Sequence, residues 1–154
     1  MVEIIAVESQ EQLDDIRKLF TEYVDSLGFD LHFQEYEREY AQLPGEYAPP
    51  DGRLFLALCD GEVCGCIALR KIDEHTCEMK RLYVRPHYRG KKIGRLLSEK
   101  LITEARTVGY RSMRLDTIPQ MTAAIALYRS LGFRDIEPYR YNPIPGALFM
   151  ELPL

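Results

Sequence analysis

At 154 residues, with 46% apolar and 29% charged side chains, the chain has the composition of a globular protein large enough to bury a core. Its 20 basic and 24 acidic residues leave a net charge of −4, which argues against nucleic acid as a partner. With Glu3 and Glu8 flanking too short an apolar run for a signal peptide, and no stretch as long as a membrane span, a cytoplasmic protein with no membrane partner is expected.

Val2 to Val7 reads as a short strand. Ser9 then opens S-Q-E-Q, a capping box closed by Gln12. Leu13, Ile16, Leu19, Phe20, Tyr23, Val24 and Leu27 follow at helical spacing, and Gly28 supplies a stop. A second helix is predicted from Asp30, with Phe33, Tyr36, Tyr40 and Leu43 as its core stripe. Leu43 to Gly52 is a loop by its proline and glycine content.

Leu54 to Cys59 is apolar throughout, as in a strand covered on both faces. Asp60-Gly61 turns it into Val63 to Leu69, and Asp73-Glu74 turns again into Thr76 to Val84. A helix runs from Ile93 to a stop at Gly109, followed by a strand over Arg111 to Asp116. Pro119 to Leu131 is the next helix, ended by Gly132. Phe133 to Ile136 and Ala147 to Leu152 are the last strands, with a loop over Tyr139 to Gly146 between them. The order β-α-α-β-β-β-α-β-α-β-β makes an α/β fold, a mixed sheet of about seven strands flanked by about four helices, in one domain over 1–154. The helix from Ile93 is expected to cross over between neighbouring parallel strands.

Cys59, Cys64, Cys66 and Cys77 lie in strand-like segments without any C-x-x-C, and the three histidines are isolated. Buried reduced thiols are expected, and no metal.

The stretch Leu82 to Arg95, L-Y-V-R-P-H-Y-R-G-K-K-I-G-R, carries the clearest chemistry. It ends a strand, breaks at Arg85-Pro86, and starts a helix whose free backbone N–H groups favour anions. Gly90 and Gly94 allow close approach, and Arg89, Lys91, Lys92 and Arg95 add charge, so the turn suits phosphates. Residues 80–100 hold eight basic side chains against one acid, Glu99.

With this order and this motif, the chain resembles the GCN5-related N-acetyltransferase (GNAT) superfamily over nearly its whole length. The specific parts are L-Y-V-R-P-H-Y-R-G-K-K-I-G-R-L-L and A-I-A-L-Y-R-S-L-G-F, Ala124 to Phe133. In the family's pyrophosphate motif, [QR]-x-x-G-x-[GA], Arg89 and Gly94 match the ends, while Lys92 stands where the inner glycine is usual. A helical conformation at Lys92 needs no glycine. Met121 replaces an asparagine that many members use to bind the pantetheine arm.

The resemblance implies an enzyme that moves the acetyl group of acetyl-CoA, its cosubstrate, to a primary amine by direct attack in a ternary complex. Leu82, Tyr83, Val84, Arg89, Gly90, Lys91, Lys92, Ile93, Gly94 and Arg95 would bind the cofactor, the first three as an open strand edge beside the pantetheine amides. Backbone N–H groups there would polarise the thioester carbonyl. Tyr128 matches the family's tyrosine acid, and Glu78 is the leading base. Because Glu78 precedes Val84 by six residues on one strand, both are expected on one face. Asp116, acting through water, is a reserve candidate.

The acceptor, a small-molecule or peptide amine, should contact Phe29 to Tyr40, the loop through Tyr47, and Tyr139 to Asn142. Residues 1–79 carry 18 acids against six bases, which favours a cationic amine. A homodimer is possible by analogy with the family. The alternative is an acyl-CoA-binding regulatory module with weak or no catalysis. A P-loop is excluded, since G-x-x-x-x-G-K-[ST] is missing.

Overall fold

In the computed structural model, which describes residues 1–28 and 36–154, seven strands form one sheet in the order β1-β2-β3-β4-β5-β7-β6. The strands are β1 (Val2–Ala6), β2 (Arg53–Cys59), β3 (Glu62–Lys71), β4 (Thr76–Val84), β5 (Ser112–Thr117), β6 (Arg134–Ile136) and β7 (Leu148–Pro153). The helices are α1 (Gln10–Leu27), α2 (Tyr36–Gln42), α3 (Ile93–Val108) and α4 (Thr122–Ser130). All pairs are antiparallel except β4 with β5, which α3 joins as a crossover.

Local chemistry sets the helix ends. Ser9 accepts from the Gln12 backbone N–H while the Gln12 side chain accepts from Ser9, and Gly28 closes α1 in a left-handed conformation at φ 73°. Gly109 does the same for α3 at φ 108°. The start expected at Asp30 for the second helix lies outside the described residues. Pro119 is not helical, because α4 begins only at Thr122, with Met121 as its N-cap.

The sheet separates two cores. On one side Ile93, Leu97 and Leu101 of α3 and Tyr128 of α4 pack on Ile67, Leu69 and Met79. On the other, Ile16, Leu19 and Phe20 of α1 pack with Leu43 and Tyr47 on Leu54, Leu56 and Ala68. Each fully buried aliphatic or aromatic side chain contributes about 1.5–3 kcal/mol of burial. The four cysteines are buried free thiols within these layers.

One irregularity positions everything that follows. β4 carries an extra residue against β3: Ala68 pairs with Lys80, but Cys66 pairs with Tyr83. The bulge falls at Arg81, whose φ is 59°. It reverses the alternation of side chains along β4. Glu78, Lys80 and Tyr83 therefore share the α1/α2 face, while Met79 and Val84 share the α3 face. Glu78 and Val84 are on opposite faces, contrary to the six-residue spacing, because that spacing assumes an unbroken period of two.

Candidate active site

The turn after β4 leads into a helix start with no side-chain cap. Arg85 and Pro86 end the strand, a short 3-10 turn spans Pro86–Tyr88, and Gly90 takes φ 84°. Lys92, the N-cap of α3, sits at φ 63° and ψ 20°, and no side-chain cap bond forms there. The first N–H groups of α3 thus face outward without a side-chain acceptor. Lys92 is not helical but left-handed, the conformation for which glycine is favoured, so this chain bears a strain of about 1–2 kcal/mol there.

These residues border a cleft of about 580 Å³ between the β4 end, the α3 start and α4. Of the ten sequence-expected cofactor residues, Leu82, Tyr83, Val84, Arg89, Gly90, Lys92, Ile93, Gly94 and Arg95 line it. Lys91 does not; its ammonium lies over the Tyr88 ring, 5.6 Å from the centroid. Gly94 has room for a methyl group, with Leu127 at 3.6 Å from an added Cβ. The opposite wall holds Gln120 to Ala124 and Leu127, including Met121.

The block of basic residues does not converge on this cleft. Only Arg89, Lys92 and Arg95 reach it. Arg85 is bound to Glu22 of α1 at 2.8 Å. Arg81 is bound to Glu39 of α2 at 2.9 Å, and Lys100 stacks over Phe55. Lys80 and Arg81 are buried on the other face of the sheet. The bulge accounts for Arg81 and Arg85, which it turns toward the α1/α2 face, whereas Lys80 faces that side by its pairing with Ala68.

β4 and β5 pair only over Thr76–Glu78 and Ser112–Arg114, then diverge. The gap between them is a small cavity lined by Leu82, Asp116, Met121, Tyr23, Lys80 and Tyr128, among others. Leu82, Met121 and Tyr23 also line the large cleft, so the two adjoin. Tyr128 is 8% exposed and stacks on Phe133, and its hydroxyl bonds to no described residue. Burial, with Tyr23 and Asp116 nearby, raises its phenol above the ordinary range, so it stays protonated at neutral pH. Asp116 accepts one bond from Asn142 Nδ2 at 3.0 Å. Burial raises its carboxyl above the usual range, against the lowering effect of Lys80.

Lys80 also borders a third cavity, of about 340 Å³, enclosed by α2, the turn Pro44–Tyr47, Arg70 of β3 and Arg140. Beneath it lies Glu78, fully buried. Glu78 Oε1 accepts from Arg70 Nε at 2.7 Å and Arg140 Nη2 at 3.0 Å, and Oε2 accepts from the Tyr139 hydroxyl at 2.6 Å. The loop after β6 places Tyr139 against Glu78 and Asn142 against Asp116. Phe29 to Glu35 lie outside the described residues. Arg70 was not singled out from sequence. The Asp73-Glu74 turn, by fixing the hairpin register that pairs Arg70 with Glu78, is the signal that points to it.

The family model described as the acetyltransferase (GNAT) family matches residues 13–133. The chain belongs to the GNAT acetyltransferases. This GNAT chain is 42% identical over 153 residues to an uncharacterized N-acetyltransferase of Schizosaccharomyces pombe, covering 98% of the chain and 94% of that relative. It is 33% identical over 132 residues to the N-acetylaspartate synthetase of Danio rerio, covering 84% of the chain and 44% of the relative. A PaiA N-acetyltransferase from Thermoplasma acidophilum, solved in complex with coenzyme A, superposes with a TM-score of 0.77 at 21% identity, over 100% of this chain and 99% of that one.

Proposed function

We propose that this GNAT enzyme transfers the acetyl group of acetyl-CoA to a primary amine by direct attack in a ternary complex. The observation that carries this reading is the succession of three adjoining cavities across the sheet. The α3 cleft shares Tyr23, Leu82 and Met121 with the β4/β5 gap, and the gap shares Lys80 with the acceptor-side cavity. Two substrates entering from opposite faces would meet at the gap. The coenzyme A held by the structurally similar Thermoplasma protein supports the same class of ligand here.

Acetyl-CoA supplies an activated thioester, and the chain supplies the surroundings. The outward N–H groups of Ile93 to Arg95, with Arg89, Lys92 and Arg95, would hold the pyrophosphate. The β4 edge from Leu82 to Val84 would pair with the pantetheine amides, and its N–H groups would stabilise charge developing on the carbonyl oxygen. The amine nitrogen bonds to the carbonyl carbon as the C–S bond breaks. Asp116 takes the proton lost by the amine, and Tyr128 gives one to the departing sulfur. No oxidation or reduction occurs, and solvent restores both groups.

We assign the base to Asp116 in preference to Glu78. Both Glu78 oxygens already accept hydrogen bonds from two arginines and a tyrosine, and no solvent reaches them. Glu78 is assigned as a positioning residue that fixes Arg70 and Arg140. Calorimetry with acetyl-CoA, followed by thiol release with a panel of amines, tests the function. Binding without any amine-dependent thiol release would favour a regulatory acyl-CoA-binding module.

A further inference from the structure

The acceptor-side cavity is lined by more basic than acidic groups in a chain whose N-terminal half is acidic. Its described lining holds Arg38, Arg70, Lys80 and Arg140 against Glu39 and Glu46, a formal balance of four positive to two negative charges. Both acids are committed. Glu39 is gripped by Arg81 at 2.9 Å and by the Tyr47 hydroxyl, and Glu46 accepts from Arg70 Nη1 at 3.1 Å. Arg140 spends only Nη2 on Glu78, so Nε and Nη1 bond to no described residue, and the same holds for Arg70 Nη2. Both guanidiniums are anchored from below by one buried carboxylate, which fixes their planes at little further entropic cost.

We propose that this cavity recognises a carboxylate on the acceptor, so that the substrate is a small amino acid or amino dicarboxylate and not a polyamine. The inference rests on the acetyl-transfer function above and names the substrate class of its acceptor site. A carboxylate can accept charge-assisted hydrogen bonds from the remaining N–H groups of both anchored guanidiniums, Arg140 Nε or Nη1 on one side and Arg70 Nη2 on the other. A volume of about 340 Å³ falls at the small end of ligand pockets, which suits one amino acid better than a peptide. Lys80 borders both this cavity and the gap, so a carboxylate held by Arg70 and Arg140 leaves the amine directed toward Asp116. Lys80 is lowered by burial and by Arg81 to about 8, which still leaves it mostly charged at neutral pH. The acidic balance of residues 1–79 pointed to a cationic amine, but those acids are largely spread over the surface or paired.

The test is a set of matched amines: aspartate and glutamate, their amides asparagine and glutamine, their dimethyl esters, and spermidine. Thiol release and product mass are measured with the whole chain, and acetyl-CoA binding is followed separately by calorimetry. The diacids should exceed the dimethyl esters by roughly 10- to 100-fold in kcat/KM, because the esters leave buried donors unmatched. Arg140→Gln should raise KM for the diacids about tenfold with a smaller change in kcat, and narrow the preference over the esters. If spermidine or the esters are acetylated as well as the diacids, the carboxylate inference is overturned while the acetyl-transfer function stands. Acetyl-CoA binding with neither turnover nor calorimetric binding of any diacid also overturns it. Failure to bind acetyl-CoA overturns both.

Discussion

Glu78 and Val84 lie six residues apart on β4, yet their side chains face opposite sides of the sheet. The extra residue at Arg81 allows one strand to serve two sites. Its end, at Val84, borders the α3 cleft, and its start, at Glu78, anchors the arginines of the acceptor-side cavity. The bulge also stands where β4 and β5 have parted, so on its β5 side the backbone meets the gap while the other side stays against β3.

Tyr128→Phe should fold and bind acetyl-CoA as the wild type does, since the ring and its contact with Phe133 are kept and the hydroxyl has no described partner to lose. Turnover should fall by roughly 10²-fold, the low end for a general acid, because a thiolate leaves readily. Steady-state kinetics beside calorimetry gives the comparison. Unchanged kcat would make Tyr128 a packing residue.

Asp116→Asn should separate activity from stability. The folded state holds the Asp116 proton more tightly than the unfolded chain, so ionising it as pH rises through its raised value costs stability. At neutral pH the asparagine variant should therefore be as stable as the wild type or more so, with its bond to Asn142 retained. Its activity should drop by roughly 10²–10⁴-fold. In the wild type, kcat/KM should decline on the acid side, where Asp116 gains its proton. Thermal unfolding and a pH–rate profile measure the two effects, and full activity in the variant would remove Asp116 from the reaction.

Two substitutions probe the proposed phosphate site. Lys92→Gly relieves the left-handed strain and should raise stability by about 1 kcal/mol, seen as a higher unfolding temperature. Gly94→Ala should be accepted, given the 3.6 Å clearance to Leu127, whereas Gly94→Glu sets a negative charge at the α3 N-terminus. The glutamate variant should fold and lose coenzyme A affinity severely by calorimetry. Equal affinity in the two Gly94 variants would refute a phosphate site there.

Glu78→Gln tests the anchoring role. Removing one partner from a buried ion network costs about 3–5 kcal/mol, since two arginines are left without their counter-charge. Unfolding should come on the order of 10 °C earlier. The kinetic signature expected of a positioning residue is a raised acceptor KM with a pH–rate profile of unchanged shape. A vanished acid limb would return the base to Glu78.

Much of the fold was legible because it is written in local chemistry. Ser9 with Gln12, Gly28 and Gly109 mark helix ends through bonds among near neighbours, and Asp60-Gly61 and Asp73-Glu74 mark turns the same way. The order of elements, and the crossover that makes β4 and β5 parallel, follow from those marks and from the period of apolar residues. The glycine-bearing turn at Arg89 to Arg95 was legible too, because a strand end, a turn and a helix start are consecutive in the chain. Tertiary structure decided the rest. Whether β4 keeps its period depends on its register against β3, so the bulge at Arg81, the opposite facing of Glu78 and Val84, and the dispersal of the basic block could not be read from spacing. The cavity of Arg70, Lys80 and Arg140 draws its charges from two strands and a distant loop. Such a site is set by pairing and packing, which bring together side chains that no local pattern links.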